Sequence, residues 1–148
     1  TEVLMPINTV SDVLGQHGEP LVWKDSSGKS YTLSLINLKA QSKIERMIES
    51  DSIESIKSHR ELIGEEEYGR QLARILRDIT QGKYNFGGEL CQNSLETIKG
   101  VSALVSVIFN VSRDEAIELI TNEPETKNVI EMVTERSYPK KVEQPAAE

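Results

Sequence analysis

Aromatic residues are scarce in this sequence: Phe, Trp and Tyr together make up 5% of its 148 residues, so a core has to be assembled mainly from Ile, Leu and Val. Cysteine is scarcer still. The one thiol, Cys91, excludes an internal disulfide, and with only His17 and His59 beside it the chain is not expected to assemble the roughly four ligands of a structural zinc site. Lys and Arg never gather into a run, and the net charge of -7 repels a phosphate backbone, so nucleic acid and anionic membrane are disfavoured as partners. The longest apolar stretch, around Val101 to Val111, falls short of the ~20 residues of a membrane-spanning helix. The N-terminal "TEVLMPINTV" lacks a basic segment followed by an apolar one, so no signal peptide is expected, and a reducing cytoplasm is the expected setting.

What the sequence does contain is helical periodicity. The length suits one compact domain, expected over residues 1–136, with 137–148 a flexible polar tail. "NTVSDVLGQHG" places Val10, Val13 and Leu14 at helical spacing before Gly15. A β-hairpin follows near 21–36: Leu21 to Lys24 and Tyr31 to Ile36 flank the turn residues Asp25, Ser26, Ser27 and Gly28, and Tyr31, Leu33 and Leu35 alternate with polar neighbours. Such a hairpin is marginal alone and has to pack on helices or on another chain.

From Asn37 the period becomes helical, with Ile44, Met47 and Ile48 on one face; "SDS" at 50–52, with Asp51 three residues before Glu54, predicts a kink or restart. Gly64 then breaks the chain, and Glu65, Glu66 and Glu67 open a helix whose inward stripe is Tyr68, Leu72, Ile75, Leu76 and Ile79. A short helix is expected around Leu90, Cys91 and Leu95. In "VSALVSVIFNV" the β-branched residues favour a strand, but Lys99, Ser102, Ser106 and Asn110 recur as a thin polar stripe, which predicts a nearly buried helix. Ser112 and Glu115 form a capping box for a helix with Ala116, Ile117 and Ile120 inward. Pro124 begins a last helix with Val129, Ile130 and Val133 inward. The fold class is mostly α: a small helical domain of about five or six helices carrying one N-terminal β-hairpin.

No catalytic constellation stands out. "GKYNFGGE" at 82–89 has the G-x-x-x-x-G spacing of a phosphate loop, but Gly88 and Glu89 stand where the chemistry needs Lys and then Ser or Thr. Gly82 reads instead as the residue ending one helix, with Gly87 and Gly88 turning the chain into the next. Tyr84 and Phe86 project from this turn, either into the core or towards a partner, and both readings stay open. Cys91, among apolar neighbours, reads as a buried inert thiol, and consecutive Glu65 to Glu67 point in different directions and cannot converge on a metal. Arg70, Arg74 and Arg77 form a basic stripe opposite the apolar one, in part neutralised by Glu66–Arg70 and Arg74–Asp78 pairs. The stripe is either a solvated face or a dock for an acidic partner segment. Trp23 reads as a hairpin residue packed on helices, and as a protein contact if exposed.

The segments "DSSGKSYTLSLINLKAQSKIERMIES", "YGRQLARILRDITQGKYNFGGE" and "IKGVSALVSVIFNVSRDEAIELI" together resemble, over residues 20 to 135, the element order of the tail assembly chaperones of tailed bacteriophages. That resemblance implies a non-enzymatic role in the host cytoplasm: binding the tape measure protein and keeping it soluble while the tail tube polymerises around it. It implies no cofactor, no metal and no catalytic residue, and partners among other phage structural proteins, with a homo-oligomer possible. The alternative is a structural virion component of capsid, neck or tail, in which a surrounding assembly orders the C-terminal tail. An enzyme ranks third and would require a pocket with converging titratable groups. On either leading reading the candidate interface residues are Trp23, Tyr84, Phe86, Arg70, Arg74 and Arg77.

Overall fold

In the computed structural model, which describes residues 21–138, the chain forms one antiparallel hairpin followed by helices. The helix expected at 8–15 and residues 139–148 of the tail lie outside the described residues. The strands are β1, Leu21–Lys24, and β2, Ser30–Leu33, with Trp23 opposite Tyr31 and Leu21 opposite Leu33. Seven helices follow among the described residues: α1 Leu38–Ser58, α2 Arg60–Ile63, α3 Glu65–Thr80, α4 Glu89–Ser94, α5 Ile98–Phe109, α6 Arg113–Asn122 and α7 Thr126–Ser137. A mostly α domain with a hairpin is therefore the observed class. The single turn α2 goes beyond the sequence reading.

The hairpin turn is organised by one carboxylate. Asp25 Oδ1 accepts from Ser27 N at 2.9 Å, Ser27 Oγ at 2.6 Å and Lys29 N at 3.0 Å, while Oδ2 accepts from the Tyr31 hydroxyl at 3.0 Å. Gly28 supplies the left-handed backbone, φ 89°, that this turn needs. Glu123, buried at the end of α6, accepts from both Ser26 N (3.1 Å) and Ser26 Oγ (2.8 Å), tying the turn to the helical body. The second strand ends at Leu33 rather than at Ile36, because Ser34 N leaves the ladder to donate to Ile108 O at 2.8 Å.

Helix α5 lies between the two halves of the core. On one side Val105, Ile108 and Phe109 meet Tyr31, Leu33, Ile36, Ala116, Leu119, Val129 and Val133; on the other, Ala103 and Val107 meet Ala40, Ile44, Ile48, Ile75, Tyr84 and Cys91. Eight of its 12 residues are buried. The Ser102 and Ser106 hydroxyls, read from the sequence as part of a thin polar stripe, are buried too, since they donate within their own helix to Lys99 O and Ala103 O. Only the ends of that stripe, Lys99 and Asn110, reach solvent. Asn110 ends the helix in the left-handed conformation, φ 56°, and its amide donates to Thr32 O at 2.7 Å. Thr97 caps the other end, accepting from Gly100 N.

Four expectations are corrected here. Helix α1 does not restart at Ser50 to Ser52 but runs as one helix: it contains neither glycine nor proline, and Asp51 pairs with Arg113 at 2.8 Å across the fold instead of capping a new helix. Leu76 and Ile117, assigned to inward stripes, are 50% and 40% exposed, and Leu119 takes the inward place on α6. Pro124 lies in the turn before α7, which begins at Thr126 with its hydroxyl on Leu119 O. Ser137 and Tyr138 belong to the body rather than to the tail, because Ile36 N donates to Ser137 Oγ at 2.8 Å and Gln41 donates to the Tyr138 hydroxyl.

Candidate functional site

The turn at 82–89 is a structural device. Lys83 N donates to Asp78 O and Gly82 N to Ile79 O, both at 3.0 Å, with Gly82 at φ 79°: a Schellman ending for α3. Gly88 is required for close approach, since a Cβ there would stand 2.8 Å from both Asn85 O and Lys83 O. Glu45 on α1 holds the turn by accepting from Phe86 N at 2.8 Å. Tyr84 is buried against α1 and α4, and Phe86 is half-buried between the two halves of the core. For Tyr84 the inward reading holds, because the loop folds back over its own helices, while Phe86 packs inward with only part of its surface.

Trp23 is also engaged within the fold. Its ring stacks on Tyr31 with centroids 5.8 Å apart and meets the edge of Phe109 at 5.7 Å, and Phe109 meets Tyr31 at 5.8 Å, closing an aromatic triangle. Packing on the helices, the first of its two sequence readings, is what the hairpin does with it. Three of the chain's seven aromatic residues thus meet at one hairpin-to-helix joint.

The three arginines have a different fate. Arg70, Arg74 and Arg77 are all exposed on α3. Arg70 pairs with Glu67 at 3.1 Å and Glu66 at 3.9 Å. The expected Arg74–Asp78 pair does not form, because Asp78 turns to Lys83 at 3.6 Å beyond the helix end, so among the described residues neither Arg74 nor Arg77 has an acidic partner at ion-pair distance. Beside them, Gly69 and Ala73 keep the surface low, and Leu76 stands half-exposed. At the other end of the arm, α2 lifts Leu62 to 84% exposure. Sequence reasoning missed Leu62; the signal was an apolar residue in the break before Gly64.

Arg60 joins α2 to the start of α3. Arg60 grips Glu65 in a two-point pair, Nε to Oε1 at 2.7 Å and Nη2 to Oε2 at 2.8 Å, while its guanidinium lies 4.5 Å over the Tyr68 ring. The hydrogen bond from Arg60 holds the Glu65 carboxyl below its ordinary range. Helix α3 packs mainly on α1 and α2, and of its 16 residues only Ile75 is fully buried. An amphipathic helix covered on one side only, with arginines and a leucine on its open side, is the fold's clearest uncommitted surface.

Chemistry of other kinds finds less support. One open groove of about 380 Å³, lined by Asp51, Ser55, Tyr84 and Lys99, has its carboxylate engaged by Arg113. Another, beside the hairpin turn, contains Asp25 and Glu123, both holding the turn. Burial pushes the Cys91 thiol up from its usual range, away from the thiolate a nucleophile needs. Among the described residues no three His, Cys, Asp or Glu side chains are placed to hold a metal, and no helix is long and apolar enough to cross a membrane.

The chain matches no family model, no curated protein sequence and no solved structure.

Proposed function

We propose that this protein is a non-enzymatic tail assembly chaperone of a tailed bacteriophage, binding the tape measure protein in the host cytoplasm while the tail tube forms. Two things support the reading. One is the resemblance in element order over residues 20 to 135. The other, which carries it, is the α2–α3 arm, where Leu76, 50% exposed, stands beside exposed Arg74 and Arg77, and Leu62, 84% exposed, projects from the far end. A partly open helix pair of this kind suits an elongated helical client: apolar anchors bury against it and the arginines fix register on acidic positions.

Co-expression with the tape measure protein tests the reading. The parent chain is expected to raise its solubility and to co-purify with it, and Leu62→Gln with Leu76→Gln is expected to abolish both, while Val22→Thr, at an exposed hairpin position, leaves them intact. No gain in solubility and no co-purification would overturn it. Recovery of the protein from purified virions at stoichiometric copy number would favour a structural component of capsid, neck or tail instead.

A further inference from the structure

Helix α6 carries a face that complements the arginine face of α3. On α6, Asp114, Ile117, Glu118 and Thr121 are exposed at positions i, i+3, i+4 and i+7; on α3, Arg70, Ala73, Arg74 and Arg77 are exposed at the same spacing. Each set lies along one side of its helix over two turns. The charges are opposite, and apart from Arg70, which pairs with Glu67 and Glu66, they have no ion-pair partner among the described residues. Glu115 is partnered by Lys29 at 3.4 Å, which leaves Asp114 and Glu118 with no cation at ion-pair distance among the described residues, as Arg74 and Arg77 are left with no anion. Size is matched as well: Ile117, 40% exposed, is the apolar projection of the acidic face, and Ala73 is the low point of the basic one, beside half-exposed Leu76.

The two faces belong to opposite parts of one molecule. Helix α3 packs mainly on α1 and α2, and α6 mainly on α5 and α7. We infer that the α6 face of one copy docks on the α3 face of a second copy, with Ile117 over Ala73 and Leu76, and Asp114 and Glu118 against the arginines. The patches in contact differ, so the association is head-to-tail: it closes into a ring if the rotation between copies allows and otherwise extends as a filament. Electrostatic attraction between small, solvated faces makes it concentration-dependent and sensitive to salt. The contact involves this chain alone and uses the α3 face that the chaperone reading gives to its client, so a bound client would displace the second copy; the self-association is measured without the client.

Charge reversal decides it. In sedimentation velocity over a concentration series at low salt, the parent chain should form oligomers that dissociate in high salt. Arg74→Glu with Arg77→Glu should be monomeric, weakening association by at least about tenfold, and Asp114→Lys with Glu118→Lys should be monomeric likewise. An equimolar mixture of the two variants should associate again, because each then presents faces complementary to the other. Circular dichroism of each variant, matching the parent, shows that the fold is retained. A parent chain that stays monomeric at low salt, oligomers that survive either reversal, or a mixture that stays monomeric would each overturn the inference.

Discussion

Helix α5 and helix α3 are neighbours of the same chain with opposite fates: eight of 12 residues are buried in the first and one of 16 in the second. Near-uniform apolarity puts α5 between two packed surfaces, and a charged side on α3 leaves it packed mainly on α1 and α2. The difference separates two tasks that a small domain has to meet together. Stability is concentrated around α5, where hairpin, α1, α6 and α7 converge, and the arm is free to expose apolar side chains because little of the fold depends on them.

Substitutions on the two sides should therefore differ by most of the protein's stability. Phe109→Ala, which empties the centre of the aromatic triangle, is expected to cost about 3–5 kcal/mol in urea unfolding. Gly100→Ala comes next, since a Cβ there would lie 1.8 Å from Ser94 O and the α4–α5 junction would have to open; a loss of about 1–3 kcal/mol or more is expected. Arg113 donates to Asp51, to Ser102 Oγ and to Lys99 O, joining α6 to α1 and α5. Arg113→Met is expected to cost about 1.5–3 kcal/mol, and a cycle with Asp51→Asn should show coupling between the two.

Acid should act on the hairpin through Asp25. The Ser27 hydroxyl, followed by the Lys29 amide and the Tyr31 hydroxyl, holds its carboxyl below the ordinary range. A carboxyl whose folded value is depressed stabilises fully above its unfolded value, near ~3.9, and loses that contribution as pH falls through the lower folded value. Thermal unfolding followed from pH 6 down to 2 should lose part of its acid-side decline in Asp25→Asn. The smallest effect belongs to the arm: Leu62→Gln and Leu76→Gln should each change stability by no more than about 0.5 kcal/mol. A cost comparable to that of Phe109→Ala would show the arm to be core, and the comparison would fail.

Elements governed by local chemistry were legible in the sequence: the hairpin, with its turn built by Asp25 and Gly28; the Gly64 break; the Gly82 ending; and the Ser112 cap, whose hydroxyl accepts from Glu115 N at 3.1 Å. What escaped depends on distant partners. Asp51 looked like a cap because Arg113, which engages it, is 62 positions away. Leu76 looked inward because its stripe is periodic, but among the described residues none covers it, and it is 50% exposed. Of the candidate interface residues, the arginines lie where an interface can use them, whereas Trp23 and Tyr84 were absorbed by packing and Phe86 was half-absorbed.

Amide hydrogen exchange on the free protein tests the central claim most directly. At high salt, where the copies are apart, amides of Glu65–Thr80 should exchange through openings of much lower free energy than those of Ile98–Phe109, and on the proposed function they should gain protection when the tape measure protein is added. Equal protection of the two helices in the free protein, or binding that leaves the α3 amides unchanged, would contradict the account.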